Sequence, residues 1–303
     1  MNAFDASDLG KRYGKRWALQ GCSLSVPAGH VVAIVGPNGA GKTTLLHCLI
    51  GLVEASTGGA FVLDGLSAGS PDALDRVAFV AQDAPLYKYL SVAQMIEVTR
   101  NLNRNFDTTL ARRRLDDLGI RLDQGVGKLS GGQQAQLALA LALARHPELL
   151  VLDEPLARLD PLARYEFMGV LMAATAEEGL SVVFSSHVVS ELERVADYLI
   201  VINSGRVQIA SEIDELMNRH AFLTGPVEDL DRLSGTVDIV QTYRADRQAR
   251  VLVRTRGATS IGENWESSSV SLEELVLAYL RDPHSSALRS SNDVVSHVRG
   301  VRS

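Results

Sequence analysis

The stretch that decides the fold is residues 31–44, Val31-Val32-Ala33-Ile34-Val35-Gly36-Pro37-Asn38-Gly39-Ala40-Gly41-Lys42-Thr43-Thr44. Five apolar residues in succession predict a strand that is covered on both faces, as in a parallel α/β sheet. From Gly36 the sequence matches the pattern G-x-x-x-x-G-K-[ST], and a helical pattern over 43–52 follows it. The glycines of this pattern let backbone N–H groups surround phosphate oxygens, while the start of the next helix adds positive potential. The stretch therefore predicts a phosphate-binding loop.

Two side chains of this loop have the chemistry that a nucleoside triphosphate requires. Lys42 can neutralise the β- and γ-phosphates, and the Thr43 hydroxyl can ligate Mg²⁺. The alternative is a chance glycine-rich turn, which the apolar strand before the loop and the helix after it disfavour. We therefore expect a nucleotide and its magnesium ion at this loop.

A second apolar run, Leu149–Leu152, ends in the two carboxylates Asp153 and Glu154. Ligands of open α/β sheets bind at the carboxyl ends of the strands, so both charges are expected beside the phosphate-binding loop. Asp153 would hold Mg²⁺ through water, and Glu154 could polarise an attacking water as a general base. A solvated acidic turn is the alternative, and the presence of the loop disfavours it.

A third motif, Leu129-Ser130-Gly131-Gly132-Gln133, precedes a predicted helix over 134–145. A serine and two glycines at a helix N-terminus offer a second place that can bind phosphate. Two phosphate cradles far apart in one sequence are unexpected for a single nucleotide. They make sense if two chains pair head to tail and each cradle closes the site of the other chain.

In this order, the three motifs resemble those of the nucleotide-binding subunit of ATP-binding cassette (ABC) transporters, and the resemblance covers roughly residues 3–215. It implies an α/β fold, a P-loop NTPase core of the ABC type with an antiparallel β subdomain and a helical insertion. It also implies ATP and Mg²⁺ as cofactors and ATP hydrolysis that drives a transporter. The implied partners are transmembrane permease subunits, docked near residues 82–91, and a second ABC subunit in a homodimer or a heterodimer.

The resemblance assigns further residues one position at a time. Tyr13 resembles the aromatic residue that stacks on adenine, Asp160 the aspartate at the dimer interface, and His187 the histidine that senses the γ-phosphate. Gln82 resembles the glutamine that contacts Mg²⁺ and links the insertion to the core. The implied catalytic residues are Glu154, His187 and Gln82, and the implied metal-binding residues are Thr43, Gln82 and Asp153. The implied nucleotide contacts are Tyr13, Gly36, Pro37, Asn38, Gly39, Ala40, Gly41, Lys42, Thr43, Thr44, Ser130, Gly131, Gly132, Gln133 and Asp160.

Two positions depart from the family pattern. Gln136 stands where a basic residue is usual, and Arg158 stands where glycine is common. Neither belongs to the phosphate-binding loop, the metal-binding residues or Glu154. The departures therefore bear on the dimer interface and on the rate of hydrolysis.

Composition and periodicity divide the chain into three parts. Residues 1–218 are expected to form the ABC domain, with its helical insertion at about 88–145. Residues 219–282 are expected to form a small α+β accessory domain. The serine-rich residues 283–303 lack apolar periodicity and are expected to be a disordered tail.

Two kinds of element are predicted within the accessory domain. Strand-like runs over 237–244 and 248–255 are joined by three polar or small residues, which predicts a hairpin. Ser271 and Glu274 have the spacing of a capping box, and they open an amphipathic helix that Pro283 ends.

The composition excludes several classes of protein. Apolar residues make up 46% of the chain and charged residues 22%, which excludes wholesale disorder. The net charge of −6 argues against a general polyanion-binding surface. Cys22 and Cys48 lie in apolar stretches and are expected to be reduced thiols. Since the sequence lacks an apolar run of about 18 residues and a signal peptide, we expect a peripheral protein on the cytoplasmic face of the membrane.

A different class of function is a soluble ABC ATPase in DNA maintenance or translation. Members in DNA maintenance carry long coiled coils and members in translation carry two cassettes, whereas this sequence has neither feature. The Arg-rich hairpin (Arg244, Arg247, Arg250, Arg254) could contact nucleic acid, but a solvated face is the favoured interpretation. No nucleic-acid partner is therefore expected. The loop sequence Pro37-Asn38-Gly39-Ala40 and the short accessory domain resemble bacterial exporters with separate permease chains. They favour such an exporter over a sugar importer with a long regulatory domain.

Overall fold

The computed structural model of the chain describes residues 1–83, 85–157, 159–233, 236–255, 264–281 and 288–289. The strands are β1 (Asn2–Tyr13), β2 (Arg16–Pro27), β3 (Val31–Val35), β4 (Thr57–Val62), β5 (Leu66–Ser67), β6 (Val77–Val80), β7 (Leu149–Leu152), β8 (Ser181–Ser186), β9 (Tyr198–Asn203), β10 (Arg206–Glu212), β11 (His220–Pro226), β12 (Asp238–Arg244), β13 (Gln248–Arg254), β14 (Glu266–Ser268) and β15 (Leu288–Arg289). The helices are α1 (Lys42–Leu49), α2 (Pro71–Arg76), α3 (Val92–Leu102), α4 (Thr108–Asp117), α5 (Gly131–Leu143), α6 (Pro161–Glu178), α7 (Val189–Leu192), α8 (Ile213–Arg219), α9 (Leu230–Leu233) and α10 (Leu272–Arg281).

The central sheet has the strand order β15-β10-β9-β3-β8-β7-β6. Strands β9, β3, β8, β7 and β6 are parallel, and β10 pairs antiparallel with β9. Every residue of β3, β7, β8 and β9 is buried, which for β3 and β7 agrees with the prediction from their continuous apolar runs. The predicted α/β class is confirmed, and the parallel strands bring the ends of β3, β7 and β8 to one edge of the sheet.

A second, antiparallel sheet has the order β2-β1-β4-β5 and lies against the central one. Its apolar side chains, Phe4, Leu9 and Leu24 among them, share one buried cluster with Leu45 and Leu46 of α1. This packing holds the first helix, which begins at the phosphate-binding loop, between the two sheets.

The helical insertion comprises α3, α4 and α5. Ser91 and Gln94 form the capping box that their spacing predicts, because the Ser91 hydroxyl accepts from the Gln94 N–H while the Gln94 side chain accepts from the Ser91 N–H. Helix α5 has two apolar faces: Leu137 and Leu141 pack inside the insertion, and Leu139 and Leu143 pack in the main core. The insertion is therefore anchored to the central sheet through α5.

Strands β11 to β14 form a third sheet with the order β12-β13-β11-β14. Together with α9 and α10, these strands are called the accessory part. Strands β12 and β13 form the predicted hairpin, and the predicted capping box of Ser271 and Glu274 lies at the start of α10. Helix α10 contacts α7 and β9, and its Leu275 and Val276 belong to the same buried cluster as the main core. The accessory part and the central sheet thus share one continuous core.

The tail differs from its prediction at two residues. Leu288 and Arg289, within the segment 283–303 that was expected to be disordered, pair in parallel with Ile209 and Ala210 of β10. An edge strand offers unpaired backbone groups to any nearby segment, so apolar periodicity is not needed for this pairing. Pro283 and the rest of that segment lie outside the described residues. Among the described residues, none of the helices combines the length and the apolar character that spanning a bilayer would require.

His220 and Tyr279 form a buried polar contact between β11 and α10. His220 Nδ1 lies 2.8 Å from the Leu216 carbonyl oxygen, and Nε2 lies 2.9 Å from the Tyr279 hydroxyl. Because a carbonyl can only accept, Nδ1 carries the proton and Nε2 accepts from Tyr279. Burial lowers the pKa of His220, and the nearby Arg254 and Arg219 act in the same direction.

This contact predicts a pH-dependent stability. The pKa of His220 is lower in the folded chain than in the unfolded one, so its contribution is present above about pH 6.5 and is lost as the pH falls below that value. We expect the free energy of unfolding, measured in urea from pH 8 to pH 5, to decrease less steeply in His220→Gln. The exposed His146→Gln is the control. An unchanged slope in His220→Gln would contradict this role.

Candidate nucleotide-binding site

The loop between β3 and α1 adopts a conformation that requires glycine at its ends. Gly41 has a φ of 112°, and a Cβ there would lie 2.6 Å from the Ala18 carbonyl oxygen. A Cβ on Gly36 would lie 2.1 Å from the Ile202 carbonyl oxygen. Both approaches exclude any larger residue, and they hold the loop close against its neighbours.

Lys42 lies in the wall of this loop with only 5% of its side chain exposed. Its Nζ donates to the carbonyl oxygen of Gly36 at 2.9 Å, with the Pro37 carbonyl oxygen at 3.4 Å. The same Nζ lies 3.6 Å from Glu154 Oε1. The ammonium group is thus fixed in position by the backbone and faces the carboxylates that follow β7.

Asp153 holds together the ends of three elements. Its Oδ1 accepts from Thr43 Oγ1 at 3.2 Å and from Ser185 Oγ at 2.7 Å. The Ser185 hydroxyl in turn accepts from the Glu154 N–H at 2.8 Å. Asp153 and Thr43 are a carboxylate and a hydroxyl, which are hard oxygen donors. Mg²⁺ is usually held by one or two protein oxygens together with phosphates and waters, so this donor set fits the ion.

The three predicted catalytic residues lie together. Gln82 Nε2 donates to Glu154 Oε2 at 3.4 Å, and His187 Nδ1 lies 3.4 Å from the same oxygen. They follow β6, β7 and β8, whose carboxyl ends meet at this edge of the sheet. Glu154 has a φ of 44°, an uncommon conformation for a residue other than glycine.

A cavity of about 630 Å³ covers this edge of the sheet. It is lined by Tyr13, Arg16, Ala18, Asn38, Gly39, Gly41, Lys42, Thr43, Thr44, Gln82 and Glu154. Tyr13 is the last residue of β1, and 52% of its surface is exposed. The aromatic ring and the lysine therefore occupy the same cavity, as a nucleotide with a base and phosphates requires.

The predicted residues of the third motif do not line this cavity. Ser130 Oγ accepts from the Gln133 N–H, and Gln133 Oε1 accepts from the Ser130 N–H, which makes a capping box at the exposed start of α5. Asp160 caps α6 by accepting from the N–H groups of Leu162 and Ala163 at 3.0 Å each. A Cβ on Gly132 would lie 2.9 Å from Ala163 Cβ, so the two helix starts are neighbours. They form a second, separate surface.

Sequence reasoning missed two residues of the site. Arg16 pairs with Tyr13 across the β1–β2 turn and lines the cavity. Its position three residues after Tyr13, in a short turn, was the available signal. Ser185 contacts both the Asp153 carboxylate and the Glu154 N–H, and its signal was a pair of hydroxyls directly after the apolar run 182–184.

The two departures from the family pattern have different outcomes. Gln136 is buried in α5 with 4% of its surface exposed, and neither of its amide atoms has a hydrogen-bond partner within the described part of the chain. Arg158 lies outside the described residues.

Comparison with known proteins agrees with this geometry. A family model described as ABC transporter matches residues 19–157. The lantibiotic transport ATP-binding protein SrtF of Streptococcus pyogenes is 35% identical over 208 residues, covering 68% of this chain and 90% of that protein. The sulfate/thiosulfate import ATP-binding protein CysA of Burkholderia mallei is 36% identical over 242 residues, covering 76% and 69% respectively. Across the first matches, the chain spans between 61% and 90% of the relative's length.

A solved structure gives the same result for the fold. The dimeric structure of a post-hydrolysis state of an ATP-binding cassette, bound to ADP and Pi, superposes with a TM-score of 0.61 at 25% identity. The match covers 69% of this chain and 98% of that one. The fold and site thus define a P-loop ATPase. The chain belongs to the ABC transporter family, as an ATP-binding, ATP-hydrolysing subunit.

The position of Lys42 leads to a direct prediction. Lys42→Ala removes the buried cation that is expected to neutralise the phosphates, so we expect it to abolish ATP binding or to weaken it by about a hundredfold. The control is Lys15→Ala, which removes an exposed lysine of the β1–β2 turn that does not line the cavity. Isothermal calorimetry measures both. Near-normal affinity in Lys42→Ala would contradict the assignment.

Proposed function

We propose that this chain binds ATP with Mg²⁺ in the cavity above β3 and β7, and that its hydrolysis drives transport through separate transmembrane subunits. The observation that carries the proposal is the assembly of the side chains of Lys42, Thr43, Asp153 and Glu154 at one edge of the sheet. Lys42 Nζ lies 3.6 Å from Glu154 Oε1, and Thr43 Oγ1 lies 3.2 Å from Asp153 Oδ1. The lysine can bind the phosphates, the hydroxyl and the Asp153 carboxylate can bind the metal ion, and the Glu154 carboxylate can accept a proton from water.

Each part of the nucleotide has a candidate partner in the cavity. Tyr13 would stack on the adenine ring, because it lines the cavity and about half of its surface is exposed. The loop N–H groups and Lys42 would hold the phosphates, and Arg16 supplies a second cation near Gly39. Thr43, Asp153 and Gln82 would hold Mg²⁺, which when bound neutralises charge on the phosphates.

Glu154 has the geometry of a general base. Its carboxylate lies between Lys42, Gln82 and His187, at the point where the γ-phosphate end of the cavity is expected. From there it can accept a proton from a water that attacks the phosphate. Gln82 and His187 contact its oxygen, so they are proposed to hold it and to respond to the γ-phosphate.

This role predicts how Glu154→Gln behaves. The variant keeps the shape of the side chain and loses the base, so we expect normal ATP affinity and hydrolysis slowed by about 10²-fold or more. Steady-state phosphate release with matched calorimetry separates the two effects. Turnover within a few-fold of the unchanged chain would remove Glu154 from this role.

The second surface, formed by Ser130–Gln133 and Asp160, is proposed to close the site of a second ABC subunit. It is exposed, it lies outside the cavity, and it presents the N-terminus of a 13-residue helix. A bound γ-phosphate would then contact Lys42 of one subunit and Ser130 of the other. The family resemblance supports this arrangement, and the dimer found in the solved relative agrees with it.

Assembly should therefore depend on the γ-phosphate. We expect Glu154→Gln to be a dimer with ATP and a monomer with ADP by multi-angle light scattering. Adding Ser130→Arg should abolish the dimer through steric and electrostatic clash, while ATP binding at Lys42 of the same chain survives. A monomer at saturating ATP, both alone and with the second cassette of its membrane partner, would overturn the shared site.

A membrane subunit is proposed to dock on the segment after β6. Tyr87 and Tyr89 are exposed there, and the groove beside them, of about 260 Å³, is lined by Phe79, Leu86 and Thr99 among others. The groove lies between the central sheet and the insertion, so a docked helix would touch both. The protein would then lie on the cytoplasmic face of the membrane. Relatives named for lantibiotic transport and for sulfate import match at similar identity, so the proposed export direction rests only on the sequence of the phosphate-binding loop and on the short accessory domain.

The soluble alternative finds little support at the Arg-rich hairpin. Arg250 lies over the Phe222 ring at 3.7 Å and donates to Glu274, and Arg254 donates to Asp238. Two of the four arginines are therefore engaged within the accessory sheet. Co-purification with a polytopic membrane protein, rather than with ribosomes or DNA, is the outcome that the proposed function requires.

A further inference from the structure

The turn between β9 and β10 connects the nucleotide loop to the accessory part. It consists of Ser204 and Gly205, both with positive φ (51° and 75°), which is the two-residue type I′ geometry of a tight hairpin. Because only two residues connect β9 to β10, a displacement of either residue also shifts the neighbouring residues of the two strands.

One side of this turn supports the phosphate-binding loop at two points. The Gly205 N–H donates to the Ala40 carbonyl oxygen at 2.9 Å. At the other end of the loop, the Ile202 carbonyl oxygen is so close to Gly36 that a Cβ would lie 2.1 Å from it. The loop therefore rests on residues 202–205 at both of its ends.

The turn is also fixed to the wall of the cavity. The Gly205 carbonyl oxygen accepts from the Gln20 N–H at 2.8 Å, and a Cβ on Gly205 would lie 2.7 Å from the Ala18 carbonyl oxygen. Ala18 lines the nucleotide cavity. The turn cannot move without moving part of this wall.

The other side of the turn holds the last helix of the accessory part. Asn203 is buried, with 6% of its surface exposed, and its Nδ2 donates to the Leu280 carbonyl oxygen at 2.8 Å. That carbonyl belongs to the last turn of α10, where no intrahelical donor is available. The Asn203 Oδ1 accepts from the Ser204 hydroxyl at 3.1 Å, which fixes the orientation of the amide.

We propose that Asn203 is a positioning residue through which helix α10 of the accessory part sets the conformation of the phosphate-binding loop. The inference rests on the proposed nucleotide site and adds a regulator to it. Because coupling between two sites is reciprocal, nucleotide binding orders α10, and a partner that displaces α10 weakens nucleotide binding. The accessory part thus acts as an input to the ATPase.

The test compares two variants with a control from the same hairpin. Asn203→Ala and Asn203→Leu both remove the donor to Leu280, and the leucine keeps most of the side-chain volume. The control, Arg206→Gln, removes an exposed contact to Gln20 and leaves Asn203 in place. The probes are fluorescent ADP and ATP analogues with Mg²⁺, followed on the full chain, together with hydrogen exchange at 272–281.

We expect both Asn203 variants to bind the nucleotides about threefold to tenfold more weakly, which is the effect of one lost hydrogen bond. We also expect nucleotide to slow exchange at α10 in the unchanged chain and in Arg206→Gln, and to have no such effect in the Asn203 variants. If Asn203 had a purely structural role, its variants would have a lower melting temperature, and nucleotide would still slow hydrogen exchange at α10 in them.

Two results would overturn the inference. One is an affinity within twofold of the unchanged chain in both Asn203 variants, and the other is α10 protection that persists in them. If the unchanged chain binds no nucleotide while it is folded, the proposed function itself fails, and the inference fails with it. Tight binding by all the proteins would overturn the inference alone.

Discussion

The site depends on one buried carboxylate, that of Asp153. With 3% of its surface exposed, it would be costly to bury without partners, and two hydroxyls on different elements satisfy it. Thr43 belongs to α1 and Ser185 to β8, so the same interaction fixes the loop, β7 and β8 relative to one another. Lys42 and Glu154 then meet because their neighbours in sequence are already held in place.

Much of this arrangement follows from short-range patterns in the sequence. The apolar run Val31–Val35, the glycines after it and the run Leu149–Leu152 each fix a strand and its exit, and parallel strands place these exits together. The capping boxes at Ser91 and Ser271 were equally local, because both partners of each box lie within four residues. The predicted cassette and its catalytic cluster were accessible for this reason.

The features that the sequence did not reveal depend on distant pairings. Arg16 enters the cavity only because the hairpin folds over the loop, and Leu288–Arg289 pairs with β10 because that edge was free. The contact from Asn203 to Leu280 joins residues 77 positions apart, and no local sequence pattern predicts it. Contacts of this kind are set by the tertiary packing of complete elements, which periodicity does not report.

The shared core beneath α10 has a consequence for how such a protein could change over evolutionary time. Leu199 and Val201 point from β9 into the cluster that contains Leu275 and Val276 of α10. A descendant that lost the accessory part in one deletion would expose this apolar surface to water and risk aggregation. The accessory part can therefore be discarded only together with polar replacements on β9 and α7, so its gain or loss is a coordinated change and its removal by a single recombination event is disfavoured.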